Sequence, residues 1–283
     1  MNVFVTGIGS FVGNLLAHHL RACGHRVGGS TRSPAPESNL HRLVLGETCD
    51  EEIFRGQDVV IHAAWDLESP TPLFNVDATR HIVDAARQMG VKRQVFLSSL
   101  SASPTAPTIY GKSKYLAEQL FDYEKGDLVI RPGLVVGPGG LFQRTFELVR
   151  RSPVVPLIGA GKLRILLVGQ SQLAEAITHL LTTTFGFRRP CLLFHPIVPT
   201  QAELIRAICT KKNWRRFILP VPAGVLLWGL TLAEKFSFRL PIKSANLRAA
   251  LKNEGVSEAS DLIPILGLTE PYPKILSLLD ALE

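Results

Sequence analysis

Four short runs, Val3–Val5, Val59–Ile61, Val95–Leu97 and Leu128–Ile130, are apolar at every position. A strand with one wet face alternates apolar and polar residues, whereas one that is apolar throughout is covered on both sides. Between these runs lie Phe11–Cys23, Val76–Met89 and Tyr110–Tyr123, whose apolar positions recur every three or four residues, the period of an amphipathic helix. The full strands are read as Asp58–His62 and Gln94–Ser98 around two of the runs, with weaker strands at Arg26–Ser30 and Leu43–Leu45. Strand and helix thus alternate, which predicts an α/β fold: a Rossmann-like, doubly wound parallel sheet with right-handed crossovers.

The pattern changes after Ile130. Pro132, Gly133, Gly137, Pro138, Gly139 and Gly140 fall within nine residues, and Pro153, Pro156, Gly159 and Gly161 follow. One more helix and strand, Gln172–Leu181 and Cys191–Phe194, return to the sheet. The predicted organisation is a dinucleotide-binding domain over 1–137, with a return segment at about 165–195, and a small, mostly helical C-terminal substrate lobe from 138–164 and 196–283. The longest uncharged stretch, Phe217–Ala233, is shorter than the ~20 residues of a membrane span and holds two prolines. It reads as a buried or interface helix, with peripheral membrane contact as the alternative.

Composition narrows the classes. The 283 residues are 46% hydrophobic and only 19% charged, which excludes a disordered chain. The net charge of +7 is uneven: residues 1–130 hold 12 basic and 14 acidic side chains, a net of −2, and residues 131–283 hold 19 and 10, a net of +9. Cys23, Cys49, Cys191 and Cys209 show no metal-ligand spacing, and the scattered histidines do not converge, so no metal site is predicted. Four reduced, buried thiols and the absence of a secretory pattern suit a cytoplasmic protein.

Three motifs carry chemistry. Gly7, Gly9, Ser10, Phe11, Val12 and Gly13 stand between the first strand and the first helix. Glycines there allow a tight turn and bring backbone amides at a helix N-terminus against a pyrophosphate. After the second strand come Thr31, Arg32 and Ser33, with no acid before Glu37. An acid at that place would accept ribose hydroxyls, whereas an arginine pairs with a 2′-phosphate, so NADP(H) is favoured and NAD(H) is the alternative. Tyr110 and Lys114 are four apart at the head of a helix and share a face. An ammonium beside a phenol lowers its pKa, as general acid/base work near neutral pH requires. Ser98 and Ser99 close the fifth strand and bring a hydroxyl to the same end of the sheet.

With the glycine turn, the segments Asp58–Ala64, Asn75–Thr79, Gly90–Arg93, Val95–Ser99, Tyr110–Lys114 and Arg131–Gly139 occur in one order. In that order the chain resembles the extended short-chain dehydrogenases/reductases, the NAD-dependent epimerase/dehydratase family, over nearly its whole length. The resemblance implies that Ser99 orients a substrate oxygen, that Tyr110 exchanges its proton, and that Lys114 lowers the Tyr110 pKa and bonds the nicotinamide ribose. It implies further cofactor contacts from Ala63, Ala64, Asn75, Pro132, Gly133 and Val135, and it places Glu47 against the adenine, where the family often has Asp. It also implies a homodimer.

Departures from the family select among reactions. Leu100 and Ser101 follow Ser99, where a sugar dehydratase needs an acid/base pair, so dehydration is disfavoured. The sugar-nucleotide motif of the second lobe is degraded to Gly159–Ile165. The leading expectation is an NADP(H)-dependent ketoreductase; a nucleotide-sugar epimerase and a non-catalytic NADP(H)-binding regulator are the alternatives. The basic surplus around Arg144, Lys162 and Arg164 points to an anionic small molecule or nucleotide-linked sugar, with a solvated basic surface as the alternative, and Trp65 is either a further pocket wall or part of the core. Lys211–Arg216 could grip a nucleic acid, but a solvated loop is the simpler account, and no nucleic-acid partner is expected.

Overall fold

A computed structural model describes residues 1–33, 39–183, 186–235, 259–270 and 275–282; Glu37 and parts of 196–283 lie outside them. The chain divides into two compact units, Met1–Pro132 with Ala174–Leu192, and Gly133–Leu173 with Leu193–Glu283.

The first unit is built on a seven-stranded sheet. Its strands are β1 (Asn2–Thr6), β2 (Arg26–Thr31), β3 (Leu40–Arg42), β4 (Val59–His62), β5 (Arg93–Leu97), β6 (Leu128–Pro132) and β10 (Cys191–Leu193), in the order β10-β6-β5-β4-β1-β2-β3. The pairings from β1 to β6 are parallel, and helix α5 (Gln170–Thr182) precedes β10 in the chain. Register explains the all-apolar runs. Phe4 and Val60 are partners, as are Phe96 and Val129, and they pack against helices α2 (Pro72–Gln88) and α3 (Ile109–Glu118). The alternate positions Val5, Ile61, Val95 and Leu128 are also in register, face the other way, and are equally buried. Neither face is left to water, so every position must be apolar. The chain runs from β1 outward to β3, then resumes on the other side of β1 with β4. The carboxyl ends of β1 and β4 therefore flank the topological switch point, where ligands of such sheets bind.

Two expected elements shift in this unit. The apolar run Leu43–Leu45 is not a strand; β3 precedes it, and Leu43 alone is buried while Gly46 turns the chain at φ +89°. The helix expected to reach Tyr123 ends at Glu118, and the Leu120 and Phe121 amides bond three residues back instead of four. The four cysteines are not uniformly buried as expected: Cys191 is buried and Cys23 is exposed.

The second unit carries two small parallel pairs beside its helices: β7 (Leu134–Val136) with β9 (Leu167–Gly169), and β8 (Val154–Ile158) with β11 (Phe217–Val221). Helices α4 (Gly140–Arg151) and α6 (Gln201–Lys211) enclose a core of Phe142, Phe146, Val149, Leu204, Ile205 and Ile208. A capping box between Thr200 and Glu203 opens α6. The run expected as one buried helix is strand β11 followed by α7 (Ala223–Lys235), split at Pro222, and Phe217, Val225 and Trp228 are exposed. Pro222 stands just before α7, where a fixed φ suits a helix entry. Trp214 packs on Phe146, and Arg216 donates to the Val149 and Arg150 carbonyls, so the Lys211–Arg216 segment serves the end of α4. Among the described residues no helix is long and apolar enough to cross a membrane.

Candidate active site

The glycine turn closes on itself through contacts that no side chain could enter. Gly7 has φ +64°, and a Cβ there would lie 2.8 Å from the Ala64 Cα. A Cβ on Gly13 would lie 2.4 Å from the Gly7 carbonyl oxygen. Ser10 caps α1 (Phe11–Ala22) by accepting the Gly13 amide at 3.1 Å. That leaves the first-turn amides of Phe11 and Val12 facing outward, since a first turn has no intrahelical acceptors for them. Gly9 is exposed beside them. This cradle fits a dinucleotide pyrophosphate.

Thr6 ties the turn to the next strand. Its hydroxyl accepts the amides of Ala63 and Ala64, both at 3.1 Å, and donates to the Ile61 carbonyl. Sequence reading missed Thr6, although a hydroxyl ending the first strand is visible there. Thr31 lies beside the glycine turn, its methyl 4.0 Å from a Cβ built on Gly9, and its hydroxyl donates to the Ser33 carbonyl. Arg32 and Ser33 are exposed just beyond it. Glu47, expected against the adenine, is exposed and holds Arg42 in a bidentate pair at 2.7 and 3.2 Å. Asn75 is buried, and both arms of its amide are spent on the backbone of Asp66 at 2.9 Å, so it fixes the loop that follows Ala64.

Ser99, Tyr110 and Lys114 converge. Gly111 makes this possible: a Cβ there would lie 2.5 Å from the Ser101 carbonyl oxygen, so the loop after β5 rests directly on the start of α3. Thr108 caps that helix through the Gly111 amide. The Ser99 hydroxyl bonds the Ser101 hydroxyl at 2.9 Å and also hydrogen-bonds Tyr110. Burial raises the Tyr110 pKa, and the Ser99 bond pulls it partly back. The Lys114 ammonium is 5.9 Å from the phenol ring centroid. Lys114 is buried, and its Nζ donates to the Leu97 carbonyl at 2.6 Å. Burial holds its pKa well below the usual lysine range, opposed by the Glu118 carboxylate. Glu118 in turn accepts from Ser98 and takes a two-point bond from Arg131 at 2.6 and 2.8 Å. Trp65 is half-buried with its ring against Phe96.

The remaining expected residues are placed as follows. Pro132 ends β6. In the second unit, Gly133 packs on the Leu166 carbonyl, where a Cβ would come within 2.7 Å, and Val135 lies in β7 beside Val168. Arg144, Lys162 and Arg164 are exposed on that unit's surface. Among the described residues no group of His, Cys, Asp and Glu could hold a metal.

Comparison with known proteins adds four findings. A model of the NAD dependent epimerase/dehydratase family matches residues 3–183. Cinnamoyl-CoA reductase 1 of Oryza sativa subsp. japonica is 35% identical over a 118-residue alignment covering 35% of each chain. The 2-alkyl-3-oxoalkanoate reductase of Stenotrophomonas maltophilia is 27% identical over 200 residues, 58% of this chain and 60% of that one. The chain thus spans less than two thirds of these curated relatives. A nucleoside-diphosphate-sugar epimerase from Staphylococcus aureus superposes with a TM-score of 0.74 over 99% of both chains. At 16% identity that likeness speaks to the fold alone.

Proposed function

The chain belongs to the NAD-dependent epimerase/dehydratase family, and from that premise we propose that it is an NADP(H)-dependent ketoreductase acting on a small-molecule carbonyl. The observation that carries the reading is the assembly of Ser99, Tyr110 and Lys114 at the carboxyl end of β5, in a chain whose relatives include two named reductases. The proposed cofactor contacts are the Gly7–Gly13 cradle, Thr31, Arg32, Ala63 and Ala64, with Arg32 pairing a 2′-phosphate. A bound nicotinamide supplies the hydride.

The chain's own residues handle the oxygen. Ser99 donates to the carbonyl and fixes its direction. Tyr110, kept protonated by burial, gives its proton to the oxygen as negative charge develops there. Lys114, held by the Leu97 carbonyl, lies one turn along α3 and stabilises the phenolate left behind.

The test is oxidation of NADPH or NADH by the purified chain with a panel of keto-sugars and of aromatic and aliphatic ketones. Tyr110→Phe should lower kcat by about 10²–10⁴ with little change in cofactor affinity. Undiminished turnover in that variant sinks the assigned acid. An epimerase needs the same three side chains and is the second reading; a dinucleotide that stays bound through gel filtration, with no net oxidation of added NADPH, would favour it.

A further inference from the structure

Trp65 has no part in the chemistry described so far, yet it makes a close contact with a charged group of that site. The Lys114 Nζ lies 3.6 Å from the centre of the Trp65 ring, 4.6 Å from that of Phe96 and 2.6 Å from the Leu97 carbonyl oxygen. The lysine is only 4% exposed, so water does little to support its charge. The titratable groups around it are few. On its own helix are Tyr110 and Glu118, the latter already shared by Arg131 from β6 and by Ser98. From β4 comes His62, which burial keeps neutral. Aromatic faces therefore cover much of the ammonium, and an indole face is the strongest of them for a cation.

The indole is itself well anchored. Its ring leans on Phe96 at 5.7 Å between centroids. The loop that carries it is fixed on one side by Thr6 through Ala63 and Ala64, and on the other by Asn75 through Asp66. The contact follows from the scaffold rather than from a freely placed surface side chain.

We propose that Trp65 is a positioning residue for Lys114, its indole face keeping the ammonium charged and aimed within the Ser99–Tyr110 site. This rests on the reading of Tyr110 and Lys114 given above. An apolar side chain without a π face would leave the lysine equally dry but without its partner, so the charged form would be lost at lower pH.

The experiment compares Trp65→Leu, Trp65→Met and Trp65→Phe with the wild type in the pH profile of ketone reduction at saturating NADPH. The basic limb should move down by about one pH unit in the Leu and Met variants, a roughly tenfold loss of rate on that limb. Trp65→Phe, which keeps an aromatic face, should restore most of it. A basic limb that stays in place in folded Leu or Met variants overturns the proposal, as does a Phe variant shifted as far as they are. Should one apolar variant fail to fold, the other and the Phe variant decide. Tyr110→Phe and Lys114→Met in the same assay separate the two ideas. If both abolish turnover while the limb stays put, only the role of Trp65 falls. If turnover survives in both, the reading of the site falls with it.

Discussion

Replacing Gly13 by alanine tests how the cofactor cradle is held. The new Cβ would sit 2.4 Å from the Gly7 carbonyl oxygen and 2.9 Å from the Ser10 hydroxyl. An ordinary contact needs about 1 Å more. The obstacle is backbone, so a side-chain rotation gives no relief. Helix α1 would have to retreat, but Leu16, Ala17 and Leu20 are buried beneath it at 0–1% exposure. Overpacking of this kind costs about 1–3 kcal/mol, and loss of the Ser10 cap adds about 1 kcal/mol. The better helix propensity of alanine returns up to about 1 kcal/mol. The net destabilisation is then about 1–3 kcal/mol, a fall in Tm of roughly 2–5 °C for a chain of this size. Scanning calorimetry of the full chain measures it, and fluorescence titration with NADPH should show affinity weakened at least about tenfold. Gly229→Ala is the control, because it lies in α7 with nothing within 4 Å of the added atom; its Tm should hold or rise. A Gly13→Ala protein as stable as wild type and equally able to bind NADPH would refute the packing argument.

Other predictions follow from the same contacts. Arg32→Ala should weaken NADPH at least about tenfold while leaving NADH unchanged, read as paired Kd values; equal losses for both dinucleotides would remove the 2′-phosphate assignment. His62 is buried against Gln94, and burial pushes its pKa from 6.5 to about 4. The unfolded chain therefore takes up a proton that the folded chain refuses between those values. Stability is full above about pH 6.5 and falls toward pH 4, by on the order of 3 kcal/mol from this group; His62→Gln should flatten that acid limb in urea titrations at pH 7.5 and 5. Arg131→Met strands the Glu118 carboxylate, itself 3% exposed, and should cost about 3 kcal/mol. The double variant with Glu118→Gln should recover most of that loss in the same denaturation assay.

Much of this architecture could be read from the chain because its signals are local. The four apolar runs lie in strands at the centre of the sheet, where burial on both faces forces the pattern. The Tyr110–Lys114 spacing and the glycine turn are fixed by one helix and one loop. What escaped was set by distant partners. Leu43–Leu45 looked like a strand, yet the ladder with β2 ends one residue earlier, at Arg42 opposite Thr31. Phe217–Ala233 reads as one element because an apolar run does not reveal its period, and of its two prolines Pro220 lies inside β11 while Pro222 falls at the break. The bonds from the Asn75 amide to the Asp66 backbone bridge nine residues, a pairing that no helical period announces. The stacking of Trp65 on Lys114 joins residues 49 apart in the chain, a contact no local pattern encodes.

The Thr6 hydroxyl has a thermodynamic consequence. It joins the glycine turn and the Ala63–Trp65 loop across the gap between β1 and β4. The two jaws of the cradle are thereby ordered by folding, before any ligand arrives. Dinucleotide binding then has little loop entropy to remove, and its heat-capacity change should report the apolar surface covered and no coupled folding. A Thr6→Val chain would keep the shape of the strand but release the jaws, so its binding enthalpy and entropy should both grow more negative as ordering shifts from the folding step to the binding step.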